Sequence, residues 1–118
     1  MNIQTREPKF FVRDIPIYGD LILAPMDGYS DAPFRALCVE FGSAMSYTEF
    51  ISAESILHPA VPDTITQRKL QFDARERVRV VQIYGHDEDT LVRAAQKLQD
   101  QQAMDILDLY LGCSVRDI

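Results

Sequence analysis

Tryptophan is absent from this chain, histidine and cysteine occur twice each, and no apolar run comes near the length of a membrane span. Each shortage closes off a class of protein. A helix that crosses a bilayer needs ~20 consecutive apolar residues, and none are found. The opening stretch Met1-Asn2-Ile3-Gln4-Thr5-Arg6-Glu7 has no apolar segment of the kind a secretory signal requires. Cys38 and Cys113 lie far apart. Without an export signal they read as two reduced thiols of a cytosolic protein and not as a disulfide. His58 and His86 stand singly in loop-like segments, with no partner at metal-ligand spacing. No Cys-x-x-Cys, His-Glu-x-x-His or P-loop pattern occurs. Positive charge is the minority, 12 Lys and Arg against 18 Asp and Glu, for a net charge of −6. That balance argues against nucleic-acid binding by bulk electrostatics, while leaving room for a local basic patch.

What is present is a one-domain chain of 118 residues, 47% hydrophobic and 25% charged, which is ordinary for a globular protein. Phe10 to Ile17 holds two short apolar runs either side of Arg13-Asp14, which predicts a hairpin. Tyr18-Gly19-Asp20 then turns the chain into a strand over about Leu21–Ala24. Ser30 or Asp31 can cap a helix that Pro33 opens. Phe34, Leu37, Cys38 and Phe41 recur at helical spacing, which places Cys38 on a buried apolar stripe, and Gly42 ends the run. A second strand is expected over Ala44–Thr48, a short helix over Ser52–Leu57, and a weak helix or edge strand over Gln67–Asp73. Arg77–Tyr84 reads as a strand rich in β-branched residues. Asp87 caps a helix with the stripe Leu91, Ala94, Ala95 and Leu98, running to about Gln101, and a last strand covers Asp105–Leu109. Strands alternating with helices imply α/β architecture with a parallel sheet and right-handed crossovers. Four strands with three helical connections make half of an eight-unit (β/α)8 barrel, or a small open sheet.

Candidate chemistry gathers where strands end. Pro25-Met26-Asp27-Gly28 forms a compact turn after the first strand. Such a turn can set its backbone against a planar ring, or can be a plain βα connection. Gln82 is a lone amide among Val81 and Ile83. It needs hydrogen-bond partners if buried, and it offers both a donor and an acceptor to a ring edge such as an isoalloxazine or a uracil. The alternative is an outward-facing polar residue, which the two covered faces of a parallel sheet disfavour. Glu49 can anchor a ligand or tie two loops. Cys113 follows Gly112 at the end of the last strand. Its thiol, with an ordinary pKa near ~8.5, is protonated at neutral pH and can donate a proton. It becomes a nucleophile only if that pKa is lowered.

In order and spacing these segments resemble one family. Leu23-Ala24-Pro25-Met26-Asp27-Gly28-Tyr29-Ser30-Asp31-Ala32-Pro33-Phe34-Arg35 is similar to the opening motif of the tRNA-dihydrouridine synthases. Tyr47-Thr48-Glu49-Phe50-Ile51-Ser52-Ala53-Glu54 is similar to their second-strand motif, and Val81-Gln82-Ile83-Tyr84-Gly85 to their third. Leu111-Gly112-Cys113 falls where they carry Asn-x-Gly-Cys-Pro. The resemblance implies a flavoprotein on a TIM barrel that uses FMN and NADPH to reduce uridine in tRNA to 5,6-dihydrouridine, in the cytoplasm. It implies that Pro25 and Met26, with Asp27 beside them, touch FMN through the backbone, and that Gln82 bonds the flavin ring. Cys113 would be the catalytic acid, protonating C5 of the uracil as hydride reaches C6.

Tyr110 stands at the family's Asn, a position that helps hold the flavin or the target base, and Ser114 stands at its Pro. By this resemblance residues 1–118 form the amino-terminal half of a flavin-binding barrel preceded by a hairpin. The half-barrel is expected to be an incomplete and inactive catalytic domain, able to self-associate through open barrel edges. The rival expectations are another FMN-dependent barrel acting on a small carbonyl or enone, and a truncated barrel without activity.

Overall fold

The computed structural model describes residues 7–59 and 64–112. The elements run β1 (Phe10–Val12), β2 (Ile15–Ile17), β3 (Ile22–Leu23), α1 (Ala32–Glu40), β4 (Met45–Tyr47), β5 (Ile51–Ser52), α2 (Ala53–Leu57), α3 (Thr64–Lys69), β6 (Arg79–Tyr84), α4 (Glu88–Asp100) and β7 (Ile106–Leu109). Strands β1 and β2 form the expected antiparallel hairpin, with Phe10 opposite Ile17 and Val12 opposite Ile15. All other strand pairings are parallel. The chain is therefore an α/β protein with a parallel sheet.

Strands β4 and β5 both pair with β6, at Tyr47 opposite Val80 and at Ile51 opposite Ile83. The other edge of β6 is taken by β7 from Val80 to Ile83. So β4 and β5 are two pieces of one interrupted strand. The sheet reads β3, β4 with β5, β6, β7, each strand beside its neighbour in sequence. The resumed strand at Ile51–Ser52 was not expected from the sequence, because two residues carry no periodicity. Inside the break, Thr48 donates its N–H to Val80 O at 3.0 Å, and its buried hydroxyl accepts the Gln82 N–H at 3.0 Å. A side-chain oxygen thus fills a rung that a backbone carbonyl would normally fill.

Alternation along β6 divides the core in two. Val81 and Ile83 point to the face covered by α2 and α4, against Ile51, Ala53, Ile56, Ala94 and Leu98. Val80 points to the opposite face, where Ile17, Met45 and Val78 pack with Val12 and Ile15 of the hairpin. The hairpin therefore closes the amino-terminal half of that second face. The turn feeding β3 fits tightly under it: a Cβ on Gly19 would lie 2.8 Å from the Ala44 Cβ.

Helix boundaries follow caps. The Asp31, Ser52 and Asp87 side chains accept the N–H of Phe34, Ser55 and Thr90, three residues on in each case. Helix α3 begins earlier than expected. Helix α1 also differs in which face it buries. Phe34, Leu37 and Phe41 are exposed, Cys38 is half-buried, and Arg35 and Ala36 point inward. The orientation is set by Arg35, which enters the core with a partner. Its Nε lies 2.6 Å from Glu76 Oε1. Its Nη1 donates to Ser30 O at 2.7 Å and its Nη2 to Gln71 O at 2.8 Å. A buried guanidinium is tolerated only when paired and hydrogen-bonded in this way.

Candidate active site at the carboxyl ends of the strands

The turn after β3 is stitched to itself and to three other segments. Within it, the Met26 N–H donates to Ser30 Oγ at 2.8 Å, and Met26 O accepts from the Tyr29 and Ser30 N–H groups at 3.0 and 2.9 Å. Gly28 sits at φ 84°, a conformation glycine adopts without strain, and its N–H donates to the Glu49 carboxylate at 2.5 Å. Lys69 of α3 donates to Asp27 Oδ1 at 2.9 Å and to Phe50 O at 3.0 Å. Arg35 holds Ser30 O from below.

Glu49 is therefore a loop-to-loop tie, one of the two roles the sequence left open. The polar backbone groups of Met26 are engaged inside the turn. The Met26 side chain is partly exposed, next in sequence to the half-buried Pro25. Asp27 is exposed and paired with Lys69. Glu49→Ala is expected to cost about 1.5–3 kcal/mol, the worth of a hydrogen bond to a charged acceptor. Hydrogen exchange at Tyr29 and Ser30 should quicken while α4 amides stay protected. Unchanged exchange in the turn would show that it is held without Glu49.

Gln82 lies on the face away from α2 and α4 and is 6% exposed. The register places it beside Asp108 of β7, and its Nε2 donates to Asp108 Oδ2 at 2.7 Å. Tyr47 shares this face. Burial, and secondly the charge of Asp108, push its phenol above the ordinary value of 10.0. Above this polar group, Phe50 bridges two tyrosines, with ring centroids 4.9 Å from Tyr84 and 5.8 Å from Tyr110. Tyr110 is half-buried and donates its N–H to Ile83 O at 2.9 Å. Cys113 and Ser114 lie outside the described residues. His58 and His86 are exposed, and no metal-binding cluster occurs among the described residues.

The structure thus brings Gln82, Tyr110 and the Pro25–Asp27 turn to one end of one sheet. Asp108, Tyr47 and Phe50 join them unannounced. Asp108 carried a signal in retrospect: it is the lone carboxylate of an apolar strand and sits opposite the lone amide of the neighbouring one.

The family model for dihydrouridine synthase (Dus) matches residues 22–118, a span that includes every one of these segments. The chain belongs to the dihydrouridine synthase family. Among curated relatives, it is 33% identical over 97 residues to a probable tRNA-dihydrouridine synthase of Aquifex aeolicus, covering 82% of this chain and 29% of that one. It is 35% identical over 101 residues to tRNA-dihydrouridine synthase B of Shewanella oneidensis, covering 85% and 30%. Against tRNA-dihydrouridine synthase B of Vibrio cholerae it is 34% identical over 101 residues, with the same coverage. The chain spans about three tenths of the length of these dihydrouridine synthases. Among the described residues no helix is long and apolar enough to cross a membrane.

Proposed function

We propose that this chain supplies the first four strands of a flavin-binding (β/α)8 barrel that reduces uridine in tRNA to 5,6-dihydrouridine in the cytoplasm. The observation that carries this reading is the placement of the motif residues. Among the described residues, the Pro25–Asp27 turn and Tyr110 follow the carboxyl ends of β3 and β7, and Gln82 lies in the carboxyl half of β6, on the face away from α2 and α4. Active sites of such barrels sit at that end. Consecutive strand order also favours a barrel arc over a doubly wound sheet, in which the order reverses part-way.

The residues present suit the ring of FMN. A buried amide beside a carboxylate can meet its polar edge, and the Pro25 ring and Met26 side chain offer apolar surface for its plane. When bound, FMN supplies the hydride for C6 of the uracil, with NADPH as the reductant. The chain's own residues orient and protonate. Gln82 holds the ring edge. Tyr110, with Phe50 behind it, forms an aromatic wall for the target base. Cys113 delivers the proton to C5. The outer edges of β3 and β7 pair with no further strand among the described residues, and Leu21, Ile22 and Leu109 along them are exposed. Unpaired apolar edges favour self-association of the isolated chain.

The test is NADPH-dependent conversion of unmodified tRNA by a full-length synthase carrying this segment, with dihydrouridine measured by mass spectrometry. Product formation that requires FMN is expected. Reduction of a small enone such as cyclohexenone with no dihydrouridine formed would transfer the chain to the rival class of flavin reductases.

A further inference from the structure

The geometry points to Asp108 as a positioning residue that turns the Gln82 amide so that its carbonyl oxygen, not its nitrogen, meets the ligand. The inference rests on the flavin reading above and adds the polarity of the contact. An ionised aspartate can only accept hydrogen bonds, so the amide nitrogen of Gln82 must be the atom facing it. The 2.7 Å separation is that of a charge-assisted bond. The two residues are in register on adjacent strands, which sets their side chains next to each other on one face of the sheet. The Gln82 backbone is fixed as well, its N–H held by the Thr48 hydroxyl at 3.0 Å.

Once the nitrogen is committed to Asp108, the oxygen of the same planar amide is directed elsewhere on the face. Gln82 then presents an acceptor and selects a ligand edge that carries an N–H. In an isoalloxazine that group is the imide N3–H, flanked by two carbonyls. A free Gln could rotate to satisfy either an N–H or a carbonyl, and one tethered to Asp108 cannot. Discrimination for the imide proton therefore originates in a residue that does not touch the ring.

Two measurements test this, one without ligand on the 118-residue chain and one with ligand on a full-length synthase carrying this segment. In the ligand-free chain, the side-chain amide resonances of Gln82 should show one slowly exchanging proton. In Asp108→Asn that signal should move, because asparagine can donate to the Gln82 oxygen and turn the amide over. If the Gln82 resonances ignore the substitution, the proposal is overturned whatever the chain binds.

In the second measurement FMN and N3-methyl-FMN are titrated against parent and variant. The parent should bind the methylated flavin about tenfold more weakly, the worth of one lost hydrogen bond with its partner left unpaired. Asp108→Asn, near-isosteric and checked for folding by thermal melt, should bring that ratio close to one. A purely structural role for Asp108 would weaken both flavins equally and leave the ratio unchanged, which overturns the proposal. If neither flavin binds while the amide coupling is seen, the flavin reading fails and takes the ligand half of the inference with it. The hold of Asp108 on Gln82 then stands alone.

Discussion

Arg35→Ala is expected to remove about 3–5 kcal/mol of stability, the usual cost of stripping one partner from a buried ion pair. Arg35 is 1% exposed, and its removal leaves Glu76 buried without its cation. Ser30 O and Gln71 O lose their donor at the same stroke. Phe72 loses the guanidinium 5.2 Å from its ring centre. Set against a typical domain stability of about 5–15 kcal/mol, the loss is a large fraction of the whole margin. Arg35→Lys should recover only part of it, since a point charge cannot reach three acceptors in a planar fork. Denaturant unfolding followed by circular dichroism decides the matter. A midpoint for Arg35→Ala close to the parent's would show that the pair is incidental. Replacing both partners by apolar residues should cost less than Arg35→Ala alone, because no charge is then left stranded.

The second large effect is on chemistry. In a full-length synthase carrying this segment, Cys113→Ala is expected to slow dihydrouridine formation by about 10²–10⁴-fold, the usual contribution of a positioned general acid. Flavin content should stay unchanged. The motive is position. In sequence, Gly112 and Cys113 come three and four positions after the end of β7, the strand that carries Asp108 and is followed at once by Tyr110. The measurement is a single-turnover rate with pre-reduced enzyme and unmodified tRNA, which separates proton delivery from NADPH oxidation. A parent-like rate would move proton delivery to another group. Cys38→Ala is the internal control. It sits half-buried on α1, and its loss should shift stability modestly and leave turnover alone.

The parts of the fold legible in the sequence were those written as local periodicity. The hairpin around Arg13-Asp14, the cap at Asp87, the stripe of α4 and the β-branched run of β6 all announce themselves within a dozen residues. Long-range polar contacts do not. Arg35 and Glu76 lie 41 positions apart, and nothing near Arg35 marks it as a core residue. Surrounded by Phe34, Leu37 and Phe41, it reads as the polar side of an amphipathic helix, and the structure reverses that assignment. Gln82 was legible as an oddity because an amide in an apolar strand demands partners. Its partner on β7 was not, because one Asp between Leu107 and Leu109 also fits a half-exposed alternating strand. The engaged backbone of Met26 was likewise hidden, since it depends on where the Ser30 hydroxyl points.

The interruption between β4 and β5 has a further consequence for strand alignment. Parallel strands of similar apolar residues can shift along one another at little cost unless something marks their register. Here the rung at the Gln82 N–H is completed by a hydroxyl oxygen. Its flanking residues Tyr47 and Glu49 carry no hydroxyl on Cβ, so a slip by one position in either direction removes that acceptor. Thr48 therefore works as a key that fits one alignment of the second strand against the third. The same alignment sets Glu49 opposite the turn at Gly28 and brings Phe50 between the two tyrosines.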